Sequence, residues 1–165
     1  MVFGVTALVL IHVVISLIAI AAGFVVMAGL LNARRLDGWT AWFLWTTVAT
    51  SVSGFFIPAD RFLPSHAVGI ISLLVLAVAI PARYVRHMEG SWRRIYVLTA
   101  VLSLYLNVFV LVAQFFSKVP ALKAMAPTQS EPPFLIAQLV VLAVFGVLTQ
   151  KAVSRFQSAN LAATA

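Results

Sequence analysis

Apolar residues run along this chain in five long blocks, roughly 5–31, 40–57, 65–82, 94–117 and 133–150, each close to or beyond the about 20 residues that an α-helix needs to cross a bilayer. Short polar stretches separate them. The clearest is Pro58-Ala59-Asp60-Arg61-Phe62-Leu63-Pro64-Ser65-His66, where two prolines, a charge pair and a histidine interrupt the oily sequence. Proline lacks a backbone donor and fixes φ, so Pro58 suits the end of one helix and Pro64 the start of the next. The pattern predicts an all-α fold: an integral membrane bundle of five transmembrane helices in a single domain over 1–165, with a small polar tail at 154–165.

Within the blocks, polar residues recur at helical spacing. On the first, His12, Ser16, Ala19 and Gly23 follow i, i+4, i+7, i+11 and form one stripe, whose small members let a neighbouring backbone approach closely. The second carries Thr46, Thr47, Thr50, Ser51, Ser53 and Gly54 toward its far end. Such hydroxyls can bond back to carbonyls of their own helix. On the fourth, Tyr96, Thr99, Ser103, Asn107, Gln114 and Ser117 line one side, which predicts an inward-facing amide stripe because amides facing hydrocarbon are costly. Between Lys118 and Pro132 the sequence suggests a short surface segment, after which Ser130, Glu131, Pro132 and Pro133 make a helix start, with Gln138 one to two turns in.

Composition agrees with the membrane reading. Hydrophobic residues make up 63% of the chain and charged residues 9%, with a mean hydropathy of +1.09, against roughly 45–50% and about 25% in soluble domains. The first apolar run, Gly4 to Leu31, has 28 residues and no positive leader, so it reads as a retained helix rather than a signal peptide, whose apolar region is about 7–15 residues.

The net charge of +7 is parcelled into short loops, which points to membrane topology and not to nucleic acid. Arg34, Arg35, Arg83, Arg86, Arg93, Arg94, Lys151 and Arg155 fall on one side, and Arg61, Lys118 and Lys123 on the other, a division of eight to three. The positive-inside rule then places the N-terminus outside and the C-terminus in the cytoplasm, as expected for a bacterial inner-membrane protein. Absence of cysteine excludes disulfides, thiol catalysis and thiolate metal sites.

With this topology His12, Ser16, Thr50, Ser53, Asp60, Arg61, His66, Asn107, Gln114, Glu131 and Gln138 gather toward the outer half, and all but Glu131 are candidates to line a ligand pocket. Asp60 and Arg61 equally fit a solvated loop pair, and the hydroxyls and amides equally fit interhelical hydrogen bonding. The expectation is an outward-facing polar pocket holding an amphipathic small molecule: a lipid, a quinone or a tetrapyrrole. A second reading is redox, with His12 and His66 as axial metal ligands of a b-type haem. A third is an oligomeric transporter or channel, or a structural subunit of a membrane partner. Catalysis has little support: adjacent Ser65 and His66 diverge on a helix, and no G-x-S-x-G elbow, H-E-x-x-H or glycine-rich phosphate loop is present. Membrane lipids, a second copy or a partner subunit are the expected associates.

Overall fold

A computed structural model describes residues 7–58 and 63–163, with side chains through Phe156. Among these residues the fold is all-α, without strands. Six helices follow in order: α1 (Ala7–Leu31), α2 (Asp37–Gly54), α3 (Pro64–Tyr84), α4 (Ser91–Lys118), α5 (Pro120–Met125) and α6 (Pro132–Ala163).

Four of them, α1, α3, α4 and α6 over Pro132–Phe156, are long and apolar enough to cross a membrane. The second block, expected as a fifth span at 40–57, is helical but begins earlier and is diluted by its Thr, Ser and Trp residues, so it does not reach the same apolar standard. It nevertheless packs along α1, and also against α3 and α4.

Local chemistry accounts for the boundaries. α1 stops where Ala33 adopts a left-handed backbone with φ of 55°, and the Arg34 and Ala33 amides donate back to the Gly29 and Leu30 carbonyls at 2.8 and 3.2 Å. This is the two-bond Schellman closure, here without its usual glycine. α3 and α6 both begin on proline, which suits a first helical turn. α3 runs beyond the expected end of its block at residue 82 to Tyr84, with Pro81 inside the helix; the amides of Val85 and Arg86 both donate to the Pro81 carbonyl at 2.9 Å. The surface segment expected after Lys118 is α5.

The polar tail expected from residue 154 does not fray there: α6 continues to Ala163. Its extension is held by packing, since Ala152 and Phe156 are buried and the Arg93 guanidinium lies over the Phe156 ring, 5.4 Å from its centroid.

α4 touches every other helix. The main core sits in the half of the bundle nearest the arginine-rich loops: Val26, Met27 and Leu30 of α1, Phe43 and Leu44 of α2, Leu76, Ala79 and Ala82 of α3, Tyr96 to Leu104 of α4, and Phe145 to Phe156 of α6. Toward the opposite end packing thins. No described residue of α1 before Ala19, and none of 107–115 in α4, is fully buried. A small second cluster, Phe116, Ala126 and Phe134, ties α4, the loop after α5 and α6 together there.

Candidate functional site

In the loosely packed half, α1 and α2 meet through polar side chains. His12 Nδ1 lies 2.8 Å from the Ser53 hydroxyl, and Ser16 makes a very short contact with Thr50 while donating to the His12 carbonyl at 2.7 Å. Ser53 also donates to the Thr50 carbonyl at 3.2 Å. The small-residue stripe of α1 therefore docks on the hydroxyl face of α2. Gly23 closes the stripe: a Cβ there would stand 2.5 Å from a Leu104 methyl and 2.9 Å from the Phe43 ring. From the other side of α2, Ser51 donates to Ser72 of α3 at 3.1 Å, in a buried pair.

The amides are divided. Asn107 donates to Thr47 of α2 at 3.2 Å, as expected for an inward-facing position. Gln114 does not join it. It is exposed, with Ser117 donating to its carbonyls, because the fourth-helix stripe leaves the bundle before its last turns. Gln138 is buried against α4, where its Nε2 donates to the Phe109 carbonyl at 3.1 Å while its Oε1 faces no donor among the described residues. An unsatisfied buried acceptor costs about 1–3 kcal/mol, so this atom asks for a donor from elsewhere.

Asp60 and Arg61 lie outside the described residues. His66 stacks on Phe55 with centroids 5.7 Å apart, and its Nδ1 accepts the Leu63 amide proton at 3.2 Å. An Nδ1 that accepts leaves the proton of the neutral ring on Nε2, which is the wrong tautomer for ligating a metal through Nε2. The two histidines are thus turned to different partners, His12 to α2 across a seam and His66 to its own helix start. No group of three or more metal-ligating side chains exists among the described residues.

Glu131 works as a turn residue: its carboxylate accepts from the Thr128 hydroxyl at 2.8 Å and from the amides of Thr128 and Ser130 at 3.1 and 3.0 Å. Its pKa lies below the ordinary value: desolvation, the largest single influence, raises it, and the hydrogen bonds from the Thr128 hydroxyl and from the amides of Glu131, Thr128 and Ser130 together outweigh that.

A second polar centre, in the arginine-rich half, escaped sequence reasoning. Arg83 is only 5% exposed although it belongs to a set of basic residues that membrane anchoring alone would explain. Its guanidinium contacts the Asp37 carboxylate closely, donates to Met88 Sδ at 3.1 Å and lies 5.5 Å over the buried Tyr96 ring. Arg34, Arg35, Thr40 and Tyr96 help to line a small void of about 10 Å³ beside it, close to the ≳ 10–15 Å³ one water needs. To place Met88 under Arg83, the loop takes left-handed backbone at both His87 and Met88, with φ of 47° and 60°. Two consecutive non-glycine residues in that region are strained and need compensating contacts. One sequence signal was available: Asp37 is one of only four carboxylates in the chain and stands among arginines, so a basic partner was to be expected.

At the same end, an open groove of about 580 Å³ runs between α1 and α2, lined by Ile18, Ala21, Ala22, Gly38, Trp39 and Trp42. No family model, curated protein or solved structure matches this chain.

Proposed function

We propose that this chain is a five-span bacterial inner-membrane protein, N-terminus outside and C-terminus cytoplasmic, that holds an amphipathic small molecule in the loosely packed outer half of the bundle. The observation that carries the reading is Gln138, whose Oε1 is buried without a donor although the same amide is fixed on Phe109. A ligand hydroxyl or N–H is the kind of group that completes it, and lipids, quinones and tetrapyrroles all offer such groups beside a large apolar body. Packing of α1 and α4 thins toward this end, where none of residues 7–18 or 107–115 is fully buried. His12, Ser16, Thr50 and Ser53 border the same half and set its polarity.

Gently solubilised protein should carry a co-purifying small molecule, identified by extraction and mass spectrometry. Gln138→Leu should lose it while keeping or raising the thermal midpoint. A wild-type preparation that is empty, or a Gln138→Leu protein that retains the same molecule, overturns the reading. An absorption spectrum separates the haem alternative, in which His66 would have to give up the Leu63 amide to bind iron: a Soret band lost in both His12→Ala and His66→Ala would identify the occupant as haem. Single cysteines at residues 2 and 160, in a chain with none of its own, test the topology: opposite-side labelling fits five spans, and same-side labelling fits four.

A further inference from the structure

The small void beside Arg83 is a point where the whole bundle meets. Each of the five long helices lends it a residue, and the link between α1 and α2 adds Arg34 and Arg35. Its polar lining is Arg34, Arg35, Arg83, Thr40 and Tyr96: three guanidinium groups and two hydroxyls, with no carboxylate.

This lining is rich in donors and poor in acceptors. A guanidinium carries five N–H donors and accepts nothing. Arg83 gives one to Met88 Sδ and one to the Asp37 carboxylate, and no acceptor for the others stands among the described residues. Arg34 and Arg35 reach the void from an exposed link, and Arg35 Nε stands 4.0 Å from the Asp37 oxygen that Arg83 already holds. Three guanidinium groups against one carboxylate leave two positive charges around the void. Arg83, Thr40 and Tyr96 are all buried, so solvent screens the inner side of that charge little.

Size then selects the guest. A volume of about 10 Å³ admits one body of roughly water size and shuts out phosphate, sulfate and carboxylates. Water itself suits the lining poorly, because its two protons would face cations. An anion that only accepts, and is little larger than water, meets both the charge and the shape.

We propose that this void is a halide site, binding one chloride ion among Arg83, Arg34 and Arg35 with the Thr40 and Tyr96 hydroxyls beside it. Because the ion would touch a wall built by every long helix, its binding stabilises the folded bundle over the unfolded chain. The site is separate from the Gln138 pocket and does not depend on it.

Thermal unfolding of the full chain in an uncharged detergent, with sodium chloride exchanged for sodium gluconate at constant ionic strength, reads this directly. The wild-type midpoint should rise saturably with chloride and with bromide. Lys151→Gln, an exposed position outside the lining, should respond as wild type does. The double variant Arg34→Gln, Arg35→Gln, also at exposed positions, should need about tenfold more chloride for half the effect, the weight of one lost charge-assisted hydrogen bond. Crystals grown in bromide should show one anomalous peak beside the Arg83 guanidinium. Equal midpoints in chloride and gluconate, a chloride response undiminished in the double arginine variant, a response lost as fully in Lys151→Gln, or no bromide peak in the void would each overturn the assignment.

Discussion

Arg83 and Asp37, on α3 and α2, form an ion pair with very unequal surroundings: the guanidinium is 5% exposed and the carboxylate 72%. The arginine is the member that has lost water. It recovers interactions from the Asp37 oxygen, the Met88 sulfur and the face of Tyr96, and the first of these is the only full charge.

Removing Asp37 therefore strands a buried cation, whereas removing Arg83 returns an exposed carboxylate to water. Asp37→Ala should lower stability by about 1–3 kcal/mol, the lower end of what breaking a buried charged pair costs because the carboxylate side is wet. Arg83→Met, similar in volume, should cost less, and the double variant no more than Asp37→Ala alone. Thermal unfolding in detergent decides; an Asp37→Ala protein as stable as wild type refutes the ordering.

Ser16 and Thr50 share one hydrogen bond across the α1–α2 seam. Ser16→Ala and Thr50→Val should each destabilise by about 0.6–1.7 kcal/mol, the range of interhelical bonds in membranes. Because either change removes the same bond, the double variant should lose clearly less than the two single losses combined. Additive losses would mean that the two hydroxyls act separately.

The helices and their order were legible in the chain, since a run of apolar residues bounded by prolines and arginines has few alternatives in a membrane. The α1 stripe was legible as well, through the spacing of His12, Ser16 and Gly23. Arg83 was not, because its burial depends on a loop folding Met88 beneath it, a contact with no sequence period. Gln114 misled for a related reason: it shares a face with Asn107, but a face stays interior only as far as neighbouring helices extend along it. The first turn of α2 was misassigned because Asp37 and Gly38 look like loop residues until the partner of Asp37 is known.

Two glycines within helices should respond oppositely to alanine. Gly146→Ala meets open space and should gain roughly 0.5–1 kcal/mol from helix propensity. Gly23→Ala forces apart fully packed Leu104 and Phe43 and should lose about 1–3 kcal/mol despite the same propensity gain. Unfolding midpoints of the pair are the measurement, and a stabilised Gly23→Ala would contradict the close approach of α1 to α2 and α4.

Ala33 occupies the left-handed position of a Schellman closure, where a Cβ is unfavourable. Ala33→Gly should stabilise by of order 0.5–1 kcal/mol, a gain reduced by the greater unfolded-state freedom of glycine. A loss in the same unfolding assay would show that the Ala33 methyl packs usefully at the half-buried site it occupies.

The position of α4 against all five other helices has a consequence for biogenesis. α1 to α3 leave the ribosome first, and at that stage Thr47 lacks its Asn107 contact and Arg83 lacks the Tyr96 ring. Residues 91–118 supply both. A nascent chain arrested before residue 91 would expose a guanidinium with incomplete shielding, the kind of feature that holds a helix at an insertase or marks it for membrane proteolysis, whereas a chain arrested after residue 118 would already own the contacts that release it into the bilayer.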